Sequence, residues 1–560
     1  MKKRNIISFL TGTALLFSMP ACTNLDETVY DNVPADSFGY TDSEISVLVG
    51  TVYKTLKNYP ADGNFIALDV MSGSDAVTPT RKGGDWYDGG QYREIYMHTW
   101  TSQTSVIKGA WSTASEAIGT CNANLKVVES SDFLSDEQMS LYTSEIRGIR
   151  AFWIYKMMDD WGNIPLVTDY ADKELPACQP RQAVFDWLIK EVTEIAETCP
   201  GRENGYAKFT KGAAYTLLAK LYLNAEAWGV SCNNAYQMAA ECCDKVMAMG
   251  YILEPDFKAN FSLTNESSRE AILAAPFSET DTDKDNRWQL MNRTLHYKDQ
   301  LALSNGVSAW NGVCAQPEYV KLFSDDDPRK EATFLIGQMY NASTGEPIET
   351  DHGFLLNHTI DVTMLAGTEY DGTTWGAVNQ HDGARCQKWP YSTTLTDAMG
   401  NDFHVFRYAD VLLMKAEALL QTKGESAKEE VCNLIDQLRD RCSCGRVHRE
   451  NYNSKDELME LLKNERRIEL ANEGLRYMDL IRWKDAEKNT IVTGVGLTGQ
   501  MYGAYMRKDG VGKDDKTVDV DNTPRRYIET RYFNASKGYL FPIPQKERDL
   551  NPNLTQNPNW

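Results

Sequence analysis

The sequence predicts a mainly α-helical protein, in which tetratricopeptide-like helical hairpins form a scaffold with long loop-rich insertions and a few short strands. Two observations favour this class. Apolar residues recur with the period of a helix over long stretches towards both ends of the chain. On the same faces, small residues alternate with aromatic ones, as in Ala213-Ala214-Tyr215. Small residues let helices approach closely and aromatic rings fill the gaps that remain, so the pattern is typical of paired helices.

The helical periodicity locates the scaffold elements in chain order. Ala214, Leu217, Leu218 and Leu221 illustrate it, since they fall on one face of a helix. No 34-residue repeat is clean, so a generic helical bundle remains an alternative to degenerate repeats. The predicted helices are 42–58, 105–128, 136–160, 181–198, 208–228, 233–249, 404–422 and 425–442.

The stretch between the two helical regions has a different composition. It is rich in Gly, Asn, Asp, Thr and aromatic residues and has only short apolar runs. We therefore expect one domain over 41–560, with a helical scaffold over 41–250 and 404–488. Between them lies a loop-rich region, 250–403, and loops on a rigid scaffold are where binding sites tend to lie.

The N-terminus is typical of an exported lipoprotein. A basic start is followed by the apolar run 6–19, which is too short to span a bilayer and predicts a signal peptide over 1–21. Ala21 precedes Cys22, as in bacterial lipoproteins whose cysteine is acylated after cleavage. We expect Cys22 to be the lipid anchor and 22–40 to be a tether, so that the protein sits on a membrane without crossing it.

Charge and cysteine content exclude several classes of function. Lys and Arg number 58 and Asp and Glu 79, a formal net charge of −21. Such an acidic chain repels phosphate backbones, so nucleic acid is excluded as a partner. The 12 cysteines contain no Cys-x-x-Cys pair, and we expect most of them to be buried as small apolar residues.

We expect no metal site and no cofactor. Asp281-x-Asp283-x-Asp285 imitates the start of a calcium loop, but Asn286 replaces its glycine and Asn292 its bidentate glutamate. An adventitious calcium ion is the alternative that this acidic run leaves open.

The C-terminal third carries the densest motif, 464–483, which reads Asn-Glu-Arg-Arg-Ile-Glu-Leu-Ala-Asn-Glu-Gly-Leu-Arg-Tyr-Met-Asp-Leu-Ile-Arg-Trp. It occurs together with four further motifs, which are 150–166, 323–329, 407–418 and 540–544. In this order they resemble the SusD/RagB family of outer-membrane lipoproteins, over nearly the whole mature chain.

This resemblance implies a single helical domain, capture of glycan or peptide at the cell surface, and no catalysis. It also implies a partner, a TonB-dependent outer-membrane transporter resembling SusC. On this basis we expect a glycan as the ligand, with a peptide as the alternative within the same family. The charged residues of 464–483 alternate with apolar ones, and we expect them to form structural ion pairs rather than to bind ligand.

Enzyme motifs give little support to catalysis. Gly494-x-Gly496-x-x-Gly499 matches a dinucleotide fingerprint, but no strand–turn–helix unit surrounds it. A glycoside hydrolase remains the alternative, because two carboxylates at the right separation suffice for it and sequence spacing cannot exclude them. A purely structural envelope protein is a third class.

A glycan site needs flat aromatic rings for the sugar faces and planar polar groups for the hydroxyls. Three loop stretches have this composition: 75–100, 287–311 and 370–391. We expect at least one of their tryptophans to stack on a sugar, whereas Trp111 and Trp153 lie in helical pattern and belong to the core. The candidate ligand-binding residues are Asp75, Arg81, Trp86, Tyr87, Trp100, Trp288, Asn292, Tyr297, Trp310, Asn311 and Trp375.

Overall fold

The structure is a computed structural model of the chain. It describes residues 41–61, 65–73, 75–79, 81, 86–171, 174–278, 288–306, 308–350, 355–360, 383–391, 399–483, 491–493, 529–531, 537 and 539–560. The predicted signal peptide and tether, Cys22 included, lie outside these residues.

The described chain is mainly α-helical, as predicted. Helices α1 to α8 are Asp42–Leu56, Phe65–Ser72, Gln91–Met97, Ser105–Glu129, Asp136–Trp161, Arg181–Thr198, Lys211–Asn224 and Ala235–Met247. Helices α9 to α17 are Leu290–Thr294, Asp299–Leu303, Pro317–Val320, Pro328–Thr333, Tyr408–Lys423, Lys428–Cys442, Lys455–Glu469, Arg476–Arg482 and Gln545–Leu550.

The strands are short and form two-stranded antiparallel pairs. In chain order β1 to β12 are Ala76–Val77, Ile164–Pro165, Cys178–Gln179, Ala271–Ala275, Cys314–Ala315, Phe334–Leu335, Gly337–Gln338, Asn357–His358, Arg385–Cys386, Phe403–Arg407, Ile491–Thr493 and Glu529–Arg531. The pairs are β1 with β5, β2 with β3, β4 with β10, β6 with β9, β7 with β8 and β11 with β12.

Local sequence explains where several helices begin. Thr41 caps α1 and Ser135 caps α5, each by accepting a hydrogen bond from the third helical residue, whose own side chain bonds back to the cap. Ser454 does the same at α15. These reciprocal caps satisfy amide groups that would otherwise have no partner at the start of a helix.

The scaffold is a series of helices in which each packs against the next. Helices α4 to α8 pack in sequence order, α8 packs against α13, and α13 packs against α14 and α15. Trp111 and Trp153 are buried in the core between them, as predicted. No helix among the described residues is both long and apolar enough to cross a membrane.

The loop-rich region enters and leaves the scaffold through one strand pair. Strand β4 follows α8 and pairs with β10, which leads directly into α13; Ala271 lies opposite Arg407 and Ala275 opposite Phe403. The predicted helix 404–422 was therefore wrong at its start. Val405 belongs to a strand, because β10 continues the ladder of β4 before the chain turns into α13.

The motif 464–483 is interrupted rather than continuously helical. Helix α15 ends at Glu469, and Asn472 and Gly474 adopt positive φ of 59° and 76° before α16 begins. Left-handed Asn and Gly residues commonly terminate helices. Glu473 therefore lies in the connecting loop and not one helical turn beyond Glu469.

The cysteines behave as predicted. All eleven that the structure describes are free, and eight of them are buried. Burial in apolar surroundings raises the pKa of the Cys121 thiol to about 12, so this thiol stays protonated and inert at neutral pH.

Candidate ligand-binding site

The structure brings two of the predicted loop stretches together. Strands β1 and β5 pair, with Ala76 opposite Ala315. Beyond this pair, the Trp86 indole N–H donates to the Trp310 carbonyl at 2.6 Å, and the Trp310 amide donates to the Asn292 carbonyl at 2.6 Å. Residues distant in sequence, from 75–92 and 288–316, thus form one loop cluster.

Most of the predicted polar site residues are buried in this cluster, where their side chains form hydrogen bonds with the loop backbone. Arg81 is fully buried and donates from Nε to the Asn311 carbonyl at 2.6 Å and from Nη2 to the Gly312 carbonyl at 3.0 Å. Asn292 is buried and donates to the Ser308 carbonyl, and Asn311 is buried as well. Arg81, Asn292 and Asn311 were predicted to bind ligand, and the structure instead buries them and uses them to fix the backbone of the loops.

Asp75 also has a structural partner. Its Oδ1 accepts a hydrogen bond from Arg467 Nε at 2.8 Å, and its side chain is buried. This ion pair joins the start of the loop cluster to the last turn of α15. Asp75 is therefore an anchor between loop and scaffold in this structure, and not a solvent-facing carboxylate.

Two predicted tryptophans belong to the core. Trp288 is fully buried against Phe277, Trp389 and Phe403. Trp100 is buried as well, with its ring 4.8 Å from that of Phe541. Because neither ring offers a free face, the structure does not support the prediction that Trp100 and Trp288 contact a ligand.

Four predicted aromatic residues remain accessible, and we call them the aromatic rim: Trp86, Tyr87, Tyr297 and Trp310. Tyr297 is 40% exposed and the other three are half-buried. The rim is joined to the loop cluster by hydrogen bonds. The Asn311 amide donates to the carbonyl of Leu295, which lies two residues before Tyr297. Among the predicted site residues that the structure describes, these are the aromatic rings that keep accessible surface.

Trp86 is held by features that the sequence did not single out. The Arg293 guanidinium lies 5.0 Å from its ring centroid, and Tyr92 packs beside it at 5.5 Å. A Cβ on Gly312 would lie 2.5 Å from the indole, so only glycine permits this close approach. No motif identifies the contacts with Arg293 and Gly312 in advance, because both residues lie more than 200 positions from Trp86.

A further exposed ring was not predicted. Tyr340 is 53% exposed. It lies two residues after β7 and forms an isolated antiparallel bridge with Pro347. The Ala342 amide donates to the Leu301 carbonyl, which places this segment against α10, just after Tyr297. The adjoining turn sequence Asn341-Ala342-Ser343-Thr344-Gly345 was the only available signal for an exposed loop here.

Behind the rim lies a buried acid–imidazole pair. Asp299, the first residue of α10, contacts His358 Nε2 through Oδ1 at 2.8 Å. Burial alone would raise the pKa of Asp299, but His358 and the nearby His296 hold it below its ordinary value. The charged carboxylate therefore helps to fix α10 and the segment that carries Tyr297.

Several predictions fall outside the described residues. These are Trp375, the acidic run 281–285, Asn286, the glycines of 494–499 and Cys22. Within the described part of the chain, no group of three or more His, Cys, Asp or Glu side chains is placed to hold a metal ion.

The charged residues of the C-terminal motif form buried ion pairs, as predicted, and most of their partners lie on other elements. Glu469 accepts from Arg407 at 2.8 Å, from Arg441 at 2.7 Å and from Arg329 at 3.1 Å. Arg466 pairs with Asp410 at 2.9 Å. These side chains connect the scaffold to the loop-rich region and are not exposed to a ligand.

Comparison with known proteins gives one family. A model of the SusD family matches residues 269–560, which is just over half of the chain. SusD-like protein P2 from Formosa agariphila is 23% identical over 584 residues, which cover all of this chain and 99% of that protein.

Solved structures give the same fold. A SusD-like protein from Bacteroides fragilis NCTC 9343 matches with a TM-score of 0.68 and 18% identity, over 94% of this chain and 99% of that one. A laminarin-binding SusD-like protein matches with a TM-score of 0.66 and 18% identity, over 93% of this chain and 100% of that one. At this identity the likeness establishes the fold and leaves the ligand open.

Proposed function

The chain belongs to the SusD family, and we propose that it is a non-catalytic, lipid-anchored protein that captures glycans on the outer face of the outer membrane. It would deliver oligosaccharides or polysaccharides to a TonB-dependent transporter resembling SusC. The family membership and the similarity to a laminarin-binding SusD-like protein support this proposal. The observation that carries it is the aromatic rim.

The rim has the chemistry that a sugar requires. Trp86, Tyr87, Tyr297 and Trp310 present ring surface on loops, and aromatic rings stack on the apolar faces of sugars. Arg81, Asn292 and Asn311 act behind them by holding the loops in place. The proposal therefore assigns direct contact to the rings and positioning to the buried polar groups.

Calorimetric titration with laminarin, starch, xylan and mannan oligosaccharides tests the proposal. Tyr297→Ala and Trp310→Ala should each weaken binding by about 5- to 150-fold, the loss that corresponds to about 1 to 3 kcal/mol per stacked ring. Tyr215→Ala is the matched control, because Tyr215 is half-buried on the scaffold helix α7 and lies outside the rim.

The outcome separates the proposal from its alternatives. Variants that melt like the wild type and bind glycan as tightly would show that the site lies outside the rim. Trp375 would then be the next residue to replace. Release of reducing sugar by the wild type would identify a glycoside hydrolase. Binding of peptides without binding of any glycan would identify a peptide-binding member of the family.

A further inference from the structure

A second concave site lies on the helical scaffold. It is a groove of about 730 Å³ between the C-terminal half of α4, the outer face of α5 and α6, a volume in the range of small-molecule sites. None of its lining residues belongs to the loop cluster or to the aromatic rim. Its lining includes Met139, Thr143, Arg147, Arg150, Trp187 and Glu191.

One wall of the groove is a fixed array of charged planar groups. Arg147 binds Glu191 through two parallel hydrogen bonds, from Nε at 2.9 Å and from Nη2 at 2.7 Å. Arg150 Nη2 donates to the same carboxylate at 2.8 Å, and Arg147 also reaches Glu194. Because each group is held by its neighbours, the array is oriented before any ligand arrives.

The groove also has an apolar surface. Trp187 is half-buried, with the Arg150 guanidinium 5.6 Å from its ring centroid. Met139 on α5 is partly buried and also lines the groove. An indole next to fixed hydrogen-bonding groups offers both of the contacts that a sugar ring needs, one for its C–H face and one for its hydroxyls.

The charge of the lining distinguishes between classes of ligand. Arg147 and Arg150 are balanced by Glu191, and Glu129 and Asp169 add two further carboxylates. An anionic ligand would meet no excess of positive charge. We propose that this groove is a second carbohydrate-binding site, separate from the rim, which takes a neutral oligosaccharide with Trp187 as its stacking ring.

The experiment is calorimetric titration of the full mature chain with laminarihexaose, cellohexaose, xylohexaose and mannohexaose. The starting protein carries Tyr297→Ala and Trp310→Ala, so that failure of the rim and failure of the groove are distinguished. In this background at least one hexasaccharide should still bind. Adding Trp187→Ala should weaken that binding by about 5- to 150-fold.

A second variant guards against an effect of Trp187→Ala on folding. Thr143→Tyr places a bulky side chain in the groove and leaves the indole intact, and it should weaken the same binding. Tyr215→Ala, outside the groove, should leave it unchanged. The proposal is overturned if no hexasaccharide binds the starting protein at about 10 mM, a concentration at which even weak sites fill. It is also overturned if folded groove variants bind like their parent, or if only short peptides bind.

Discussion

Arg407 is fully buried at the end of β10, and its guanidinium is surrounded by carboxylates. It donates to Glu473 at 2.7 Å, to Glu270 at 2.7 Å and to Glu469 at 2.8 Å. Removal of one partner from such a network leaves charges buried without compensation, which is far more costly than the loss of a surface pair.

Replacement of Arg407 by Met should therefore destabilise the protein by about 3 to 5 kcal/mol. Arg446→Met is the matched control, because Arg446 forms a similar two-point pair with Asp440 in an exposed position. The control should change stability little, since solvent screens the surface pair. Urea unfolding measures both variants, and equal losses would show that burial does not decide the effect.

Asp402 lies just before β10, and its pKa predicts that the stability of the protein depends on pH. Burial raises its pKa from 3.8 to about 6, although the Phe277 amide donates to its Oδ1 at 2.6 Å. Between about pH 4 and 6 the folded state keeps a proton that the unfolded state has released, so this contribution to stability is lost as pH rises through that window.

Asp402→Asn should remove this slope while keeping the acceptor for Phe277. Relative to the wild type, the variant should gain on the order of 1 to 3 kcal/mol in stability between pH 4 and pH 7. Unfolding curves at pH 4, 5, 6 and 7 measure the difference. A difference that is constant with pH would contradict the assignment of the slope to Asp402.

Sequence predicted the role of single charged residues better than their partners. The density of charge in 464–483 indicated ion pairs, and ion pairs are present. The partners of Glu469 are Arg329, Arg407 and Arg441, which come from α12, β10 and α14. Spacing along one segment contains no information about such long-range neighbours. Likewise, Trp288 and Trp310 stand in similar sequence surroundings, and only tertiary packing places one inside and the other at the surface.

At the scale of whole elements, helical periodicity located the scaffold to within a few residues. Helix 181–198 was predicted with the bounds that it has, and 136–160 ends one residue later than predicted. The error at 404–407 arose because a five-residue strand is short and its partner β4 lies about 130 residues away. Short strands depend on such pairings, whereas an amphipathic helix carries its pattern locally.

The C-terminal segment 540–544 packs into the core, although its short sequence has no helical or strand pattern that would indicate this. Phe541 is fully buried, its amide donates to the Asp160 carbonyl at 2.9 Å, and its ring lies 5.2 Å from that of Tyr477. The Trp161 indole N–H donates to the Pro542 carbonyl. The segment therefore closes α5 against α16.

Phe541→Ala should cost about 3 to 5 kcal/mol, because it removes a large buried ring from a packed site. Leu550→Ala on α17 is the control, since Leu550 is 66% exposed and should change stability by less than about 0.5 kcal/mol. Thermal melts of the two variants provide the comparison. Similar melting temperatures would indicate that the segment is not part of the cooperative core.

For the whole molecule, the proposed function requires a route for the captured glycan. The proposal takes this route from the resemblance to the SusD/RagB family, which implies a TonB-dependent transporter resembling SusC as the partner.

Purification of the protein from native membranes in mild detergent should recover a large outer-membrane barrel protein in comparable amount. The Arg407→Met variant, if it is unstable as expected, serves as a control for non-specific recovery because it should bring down less of the barrel. Recovery of the protein alone, with the transporter shown to be expressed, would contradict the partnership.

The last prediction concerns attachment to the membrane. The acidic chain, with a net charge of −21, is repelled by anionic lipid, so charge cannot hold it at a bilayer. Acyl chains on Cys22 would supply the affinity instead, and two or more chains give stable anchoring. Cys22→Ala should release the protein into the soluble fraction, whereas Cys178→Ala, which replaces a partly exposed cysteine of the folded domain, should leave it membrane-bound. Fractionation in a strain without the proposed transporter measures the lipid alone, and Cys22→Ala protein that still sediments with the outer membrane there would refute the anchor.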